Sequence, residues 1–227
     1  MKATQRNLVI AAALIAAFIL WTAAVSHVDV QPIGPEGTSV GFAALNGAFH
    51  RLTGVHMSLY TLTDWLGLIP VGIGLGFALL GLGQWIRRRR LLRVDGSLLV
   101  LGGIWLLVIA AYLLFEGFAV NFRPVLIDGR LEVSYPSSTT LLTLCVVAPV
   151  ALQLRARIRR PLLRRCCVGG LTVFGAFMVI ARLLSGVHWL TDVIGSVLLS
   201  GGLVMLYCAL CGALPAKAAY RGPQDGG

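Results

Sequence analysis

Six long apolar runs decide most of what this chain can become. They cover residues 8–25, 62–86, 98–115, 137–154, 167–181 and 189–214, and most approach the ~20 residues a helix needs to cross hydrocarbon. In lipid every backbone N–H and C=O has to be paired within its own segment, so such runs predict helices rather than an open sheet. The chain of 227 residues is 57% hydrophobic, with a mean hydropathy of +0.85. The expected fold is therefore all-α: a polytopic, six-helix membrane bundle in which residues 1–227 form one membrane-embedded domain and 26–61 an outer segment.

A net charge of +10 would suggest nucleic acid in a soluble protein. The placement of the charges argues against that. Lys2 and Arg6 precede the first run, Arg87–Arg90 and Arg93 follow the second, Arg155–Arg165 follow the fourth, and Lys217 and Arg221 end the chain. With six crossings all of these share one side, which predicts cytoplasmic termini in a cell inner or plasma membrane. Only Arg51, Arg123, Arg130 and Arg182 fall elsewhere. Trp65, Tyr135 and Trp189 sit where an aromatic belt marks the outer interface. The expected partner is the bilayer, with no nucleic acid and no indication of oligomeric state.

Ala24-Val-Ser26 would pass as a cleavage site after a positive start and an apolar core, but the first run is long for a signal peptide and reads as an anchor. Gly72 and Gly76 have the spacing at which transmembrane helices approach closely. The residues around 42–52 are weakly amphipathic. His27, His50 and His56 are scattered and read as surface residues. Cys208 and Cys211 have redox-motif spacing but lie inside an apolar run, where packing is the expected role.

The same topology gathers three pieces on the outer side: Arg123-Pro124, Pro136-Ser137-Ser138-Thr139, and Arg182 with His188 and Asp192. Each suits a phosphate. Arg123 and Arg182 offer forked donors to its oxygens. Pro136 at the mouth of a helix leaves the backbone N–H groups and hydroxyls of Ser137, Ser138 and Thr139 at the positive helix end. His188 and Asp192 are four apart, so on a helix they share a face, and a carboxylate can hold one imidazole nitrogen as N–H while the other attacks phosphorus. None of these steps calls for a cofactor or a metal ion.

Arg-Pro, then Pro-Ser-x-x, then Arg182-x5-His188-x3-Asp192, in this order and topology, resembles the type-2 phosphatidic acid phosphatase superfamily. These are membrane lipid phosphate phosphatases related to the vanadium haloperoxidases. The resemblance implies metal-independent hydrolysis of a lipid-linked phosphate or diphosphate through a phosphohistidine. His188 would be the nucleophile, Asp192 its orienting partner, and Arg123, Arg182, Ser137 and Ser138 the phosphate ligands.

Two positions depart from the family pattern. Glu116 stands where the family has a lysine. Thr139 stands where it has the histidine that protonates the departing oxygen, and a threonine hydroxyl is a weak substitute for that acid. Either a diphosphate with an easier leaving group is the substrate, or His56, Asp128 or Glu132 supplies the proton, or the phosphate pocket persists in a catalytically impaired relative that binds or transports phospholipid or another anion.

Overall fold

The computed structural model describes residues 2–215. Its α-helices are α1 (Ala3–His27), α2 (Ala43–Thr53), α3 (Met57–Leu66), α4 (Leu68–Arg88), α5 (Gly96–Gly117), α6 (Ser138–Arg157), α7 (Pro161–Leu184) and α8 (Leu190–Ala213). No strand forms among the described residues, only isolated bridges such as Phe122 with Val133. Six segments are long and apolar enough to cross a membrane: α1, α3 with α4, α5, α6, α7 and α8. The all-α, six-span reading holds.

The helices run past the apolar runs at most ends. α7 begins at Pro161 and takes in Arg164 and Arg165, and the second crossing begins at Met57, before the hydrophobic run does. Hydropathy marks the hydrocarbon, whereas the hydrogen-bond ladder continues as long as backbone groups need partners, and long basic side chains reach water from inside it. Pro161 suits the start of α7 because the first helical N–H has no acceptor in any case.

The core lies between α1, α5, α6 and α8, where Phe18, Leu101, Ile104, Tyr135, Leu141, Leu199 and Leu203 are buried together. α1 and α8 pack closely because Gly202 carries no side chain; a Cβ there would stand 2.7 Å from Ile15 Cγ1. The glycines of α4 play no such part. A Cβ on Gly72 or Gly76 would meet nothing within 4 Å, since α4 lies on the periphery. The expected close contact through that pair is not made among the described residues.

At one end of the bundle the fully buried Asp95 carboxylate joins α4 and α6, 3.2 Å from Arg88 Nη1 and 3.1 Å from Arg157 Nη2. At the other end the segments 28–56, 118–137 and 185–189 meet. Asn46 of α2, also buried, donates to Thr191 Oγ1 at 2.9 Å and so docks α2 on the start of α8. The His56 N–H donates to the Ser185 carbonyl at 2.9 Å, which lays the α2–α3 connection against the α7–α8 turn.

That turn depends on Gly186. Its φ is +70°, and a Cβ would fall 2.0 Å from the Gly54 carbonyl oxygen. Gly129 has a similar φ of +73° but nothing within 4 Å. Gly129→Ala should therefore cost only the left-handed backbone, ~1–2 kcal/mol. Gly186→Ala should lower the melting temperature distinctly further, because residues 54–55 must also move; thermal unfolding of the two variants side by side checks this.

Candidate active site

His188 lies in the turn between α7 and α8, buried and next to the start of α8. Its Nδ1 is 3.1 Å from the Ser134 carbonyl oxygen and 3.8 Å from Asp192 Oδ2. A carbonyl only accepts, so Nδ1 carries the proton and Nε2 the lone pair. Nε2 has no hydrogen-bond partner among the described residues. Asp192 is held by the Trp189 N–H at 2.9 Å and by Asn121 Nδ2 at 3.0 Å. The expected closeness of His188 and Asp192 is found, but its origin differs. His188 precedes the helix, and Asp192 comes to it by reaching back to cap the N-terminus of α8, so the pair does not stack along one helical face.

Burial lowers the His188 pKa from its ordinary 6.5 to about 4; the Asp192 carboxylate opposes this, and the Arg123 and Arg182 charges add to it. The imidazole should then be neutral, with the proton on Nδ1, throughout the physiological range. Nitrogen NMR of histidine-labelled protein would read both the tautomer and a titration well below pH 6.5. The unfolded chain takes up a proton below its pKa near 6.5 that the folded chain refuses until about 4. The stability His188 contributes is therefore complete above that upper value and lost as pH falls through this window.

Arg182, in the last turn of α7, is buried and donates from Nη1 to Thr63 Oγ1 at 3.1 Å. Arg123 Nε pairs with Glu132 Oε2 at 2.9 Å. Both guanidinium groups face the Tyr60 ring, with 4.7 Å from Arg182 Cζ to the ring centroid and 5.8 Å from Arg123 Cζ. Arg182 Nε and Arg123 Nη1 are buried without a hydrogen-bond partner among the described residues. Donors in that state cost free energy unless an acceptor meets them, which makes an anion the fitting ligand.

Beside these groups opens a cavity of about 430 Å³, within the range of small-molecule sites. His188, Ser134, Ser138 and Thr139 line its polar end, with Asp64 from α3 and Glu116 from α5; Leu68, Val108, Leu141 and Leu142 line the rest. Ser137 is not on this surface. It is fully buried, and its hydroxyl donates to Thr140 Oγ1 at 3.1 Å. As N-cap of α6 it makes no side-chain cap, so the first-turn N–H groups are left without one. Of the three residues 137–139, the structure brings Ser138 and Thr139 to the cavity.

None of the expected substitute acids lines the cavity. Glu132 meets the arginine cluster through its pair with Arg123, His56 Nε2 is 2.9 Å from the Thr53 carbonyl, and Asp128 is exposed in a tight turn closed by Ile127 and Arg130. The groups that do meet the site and were missed in the sequence are Tyr60, Thr63 and Asp64. Their spacing on a helix puts all three near one face, a signal hidden because the stretch reads as the polar lead-in to the second span.

A family model of the PAP2 superfamily matches residues 117–213. Over this stretch, less than half of the chain, the sequence is similar to that superfamily. The matched segment takes in the last residue of α5, the loop carrying Arg123, and α6 to α8, hence Ser138, Thr139, Arg182, His188 and Asp192. Over most of its length the chain is similar to the crystal structure of the first transmembrane PAP2 type phosphatidylglycerolphosphate phosphatase from Bacillus subtilis. The two are 22% identical over 88% of this chain and 93% of that one, with a TM-score of 0.49. No curated protein matches the chain.

Proposed function

We propose that the chain, acting as one membrane-embedded domain, is an integral-membrane phosphatase that hydrolyses a lipid-linked phosphate or diphosphate through a phosphohistidine. The observation that carries this reading is the His188 ring: Nδ1 is committed to the Ser134 carbonyl, while Nε2 has no hydrogen-bond partner among the described residues, on a residue that lines the cavity. In this reading Arg123, Arg182 and the start of α6 hold the phosphoryl oxygens, and Ser138 adds a hydroxyl. Nε2 attacks phosphorus, the bond to the leaving oxygen breaks, and water then cleaves the phosphohistidine.

The apolar part of the cavity supports a lipid. Val108 lies nine residues inside the end of α5, so the cavity follows that helix for ~13 Å toward the middle of the bundle. An acyl or prenyl chain fits there while its phosphate meets the arginines. The basic loops at the opposite end support cytoplasmic termini and a site on the outer face.

The test is to incubate the purified protein in detergent with labelled phosphatidate or a labelled polyprenyl diphosphate and quench with alkali, which preserves phosphohistidine. Wild-type protein should carry label that His188→Ala lacks. Binding of the lipid without label or phosphate release would favour an anion-binding or transport role instead.

A further inference from the structure

Phosphoryl transfer from an alcohol needs a proton for the departing oxygen, and His188 cannot give one while Nε2 is attacking. Ser138 and Thr139 in the cavity wall are hydroxyls, too weakly acidic for the task at neutral pH. Two carboxyl groups share that wall, Asp64 and Glu116. Asp64 alone is tied to the arginine cluster: its Oδ1 lies 3.9 Å from Arg182 Nη2. It follows Thr63, which accepts from Arg182, and it sits one turn after Tyr60, whose ring lies under both guanidinium groups.

We propose that Asp64 is the proton-transfer residue of this site. The proposal rests on the phosphatase reading above. A phosphate held by Arg182 comes beside the Asp64 carboxyl, close enough for a proton to pass between them. When Nε2 bonds to phosphorus and the phosphorus–oxygen bond breaks, Asp64 gives that proton to the alcohol oxygen, which leaves as a neutral alcohol. Asp64, now a carboxylate, takes a proton from the water that attacks the phosphohistidine. Inorganic phosphate leaves, and both His188 and the protonated Asp64 are restored. The step balances without any further reagent. It also gives α3, outside the matched family segment, a direct part in the chemistry.

The experiment compares two leaving groups on the full-length protein in detergent. Phosphatidate releases an alkoxide that must be protonated, whereas para-nitrophenyl phosphate releases a stable phenolate that need not be. Asp64→Asn should lower kcat on phosphatidate by about 10²-fold or more while changing para-nitrophenyl phosphate turnover less than about 10-fold. Asp64→Glu, which keeps the carboxyl, should recover much of the phosphatidate activity. Equal losses on both substrates, or no loss on either, would overturn the assignment. So would a loss in Asp64→Glu as deep as in Asp64→Asn when both melt like wild type. Silence of wild-type protein on both substrates would instead remove the phosphatase reading, and the role of Asp64 with it. An active wild type with an indifferent Asp64→Asn removes the role of Asp64 alone.

Discussion

His188→Ala should abolish phosphate release, lowering kcat by at least about 10⁴-fold, the scale on which enzymes lose rate when a covalent nucleophile is removed. The loss should be one of chemistry and not of folding. Nε2 makes no hydrogen bond among the described residues, and the lost contact of Nδ1 leaves the Ser134 carbonyl without its donor, at a cost of about 1–3 kcal/mol. Phosphate release and thermal unfolding measured on the same preparation separate the two effects. His188→Gln is a useful companion. Its amide can reach for the same carbonyl but offers no nucleophilic nitrogen, so it should melt closer to wild type and remain as inactive as alanine.

Arg182→Lys should be nearly as severe, with a fall in kcat/KM of about 10³-fold. The ammonium keeps the charge but not the fork. In the native site one arm of the guanidinium is spent on Thr63, the flat face lies over Tyr60, and Nε is left for the ligand. A lysine cannot do all three from one point charge. Because charge on the phosphoryl oxygens grows toward the transition state, kcat should suffer more than KM. Steady-state kinetics on phosphatidate reads that division. A mainly raised KM with kcat preserved would make Arg182 a ground-state anchor only.

Much of this was legible in the sequence, and the reasons are physical. The six crossings follow from hydropathy because hydrocarbon imposes one requirement on all of them. Arg182, His188 and Asp192 stand out because ionisable groups are costly at such positions. The serine pair shows where legibility stops. Ser137 and Ser138 are adjacent and alike in sequence, yet one hydroxyl is turned inward to Thr140 and the other faces the cavity, a difference set by the entry angle of α6. The Ser134 carbonyl could not be foreseen at all, since a backbone group leaves no mark on residue identity. Nor could Asp64, which belongs to the site only because α3 packs on α7.

The pairing of α1 with α8 has a consequence for how the protein is made. Tyr135, one residue before Pro136, gives its hydroxyl to or takes one from Thr22 of α1 at 2.7 Å, and its ring stacks on Phe18. Trp21 of the same helix donates to the Thr191 carbonyl at 3.1 Å, beside Asp192. α1 leaves the ribosome long before α8 and is thus a scaffold for residues that emerge far later, and it must wait in the bilayer with that flank unoccupied until α8 inserts. Assembly of the end that carries these residues is a late event in biogenesis, and a chain interrupted after α7 would hold Arg123 and Arg182 with neither His188 nor the helix that closes around Tyr135.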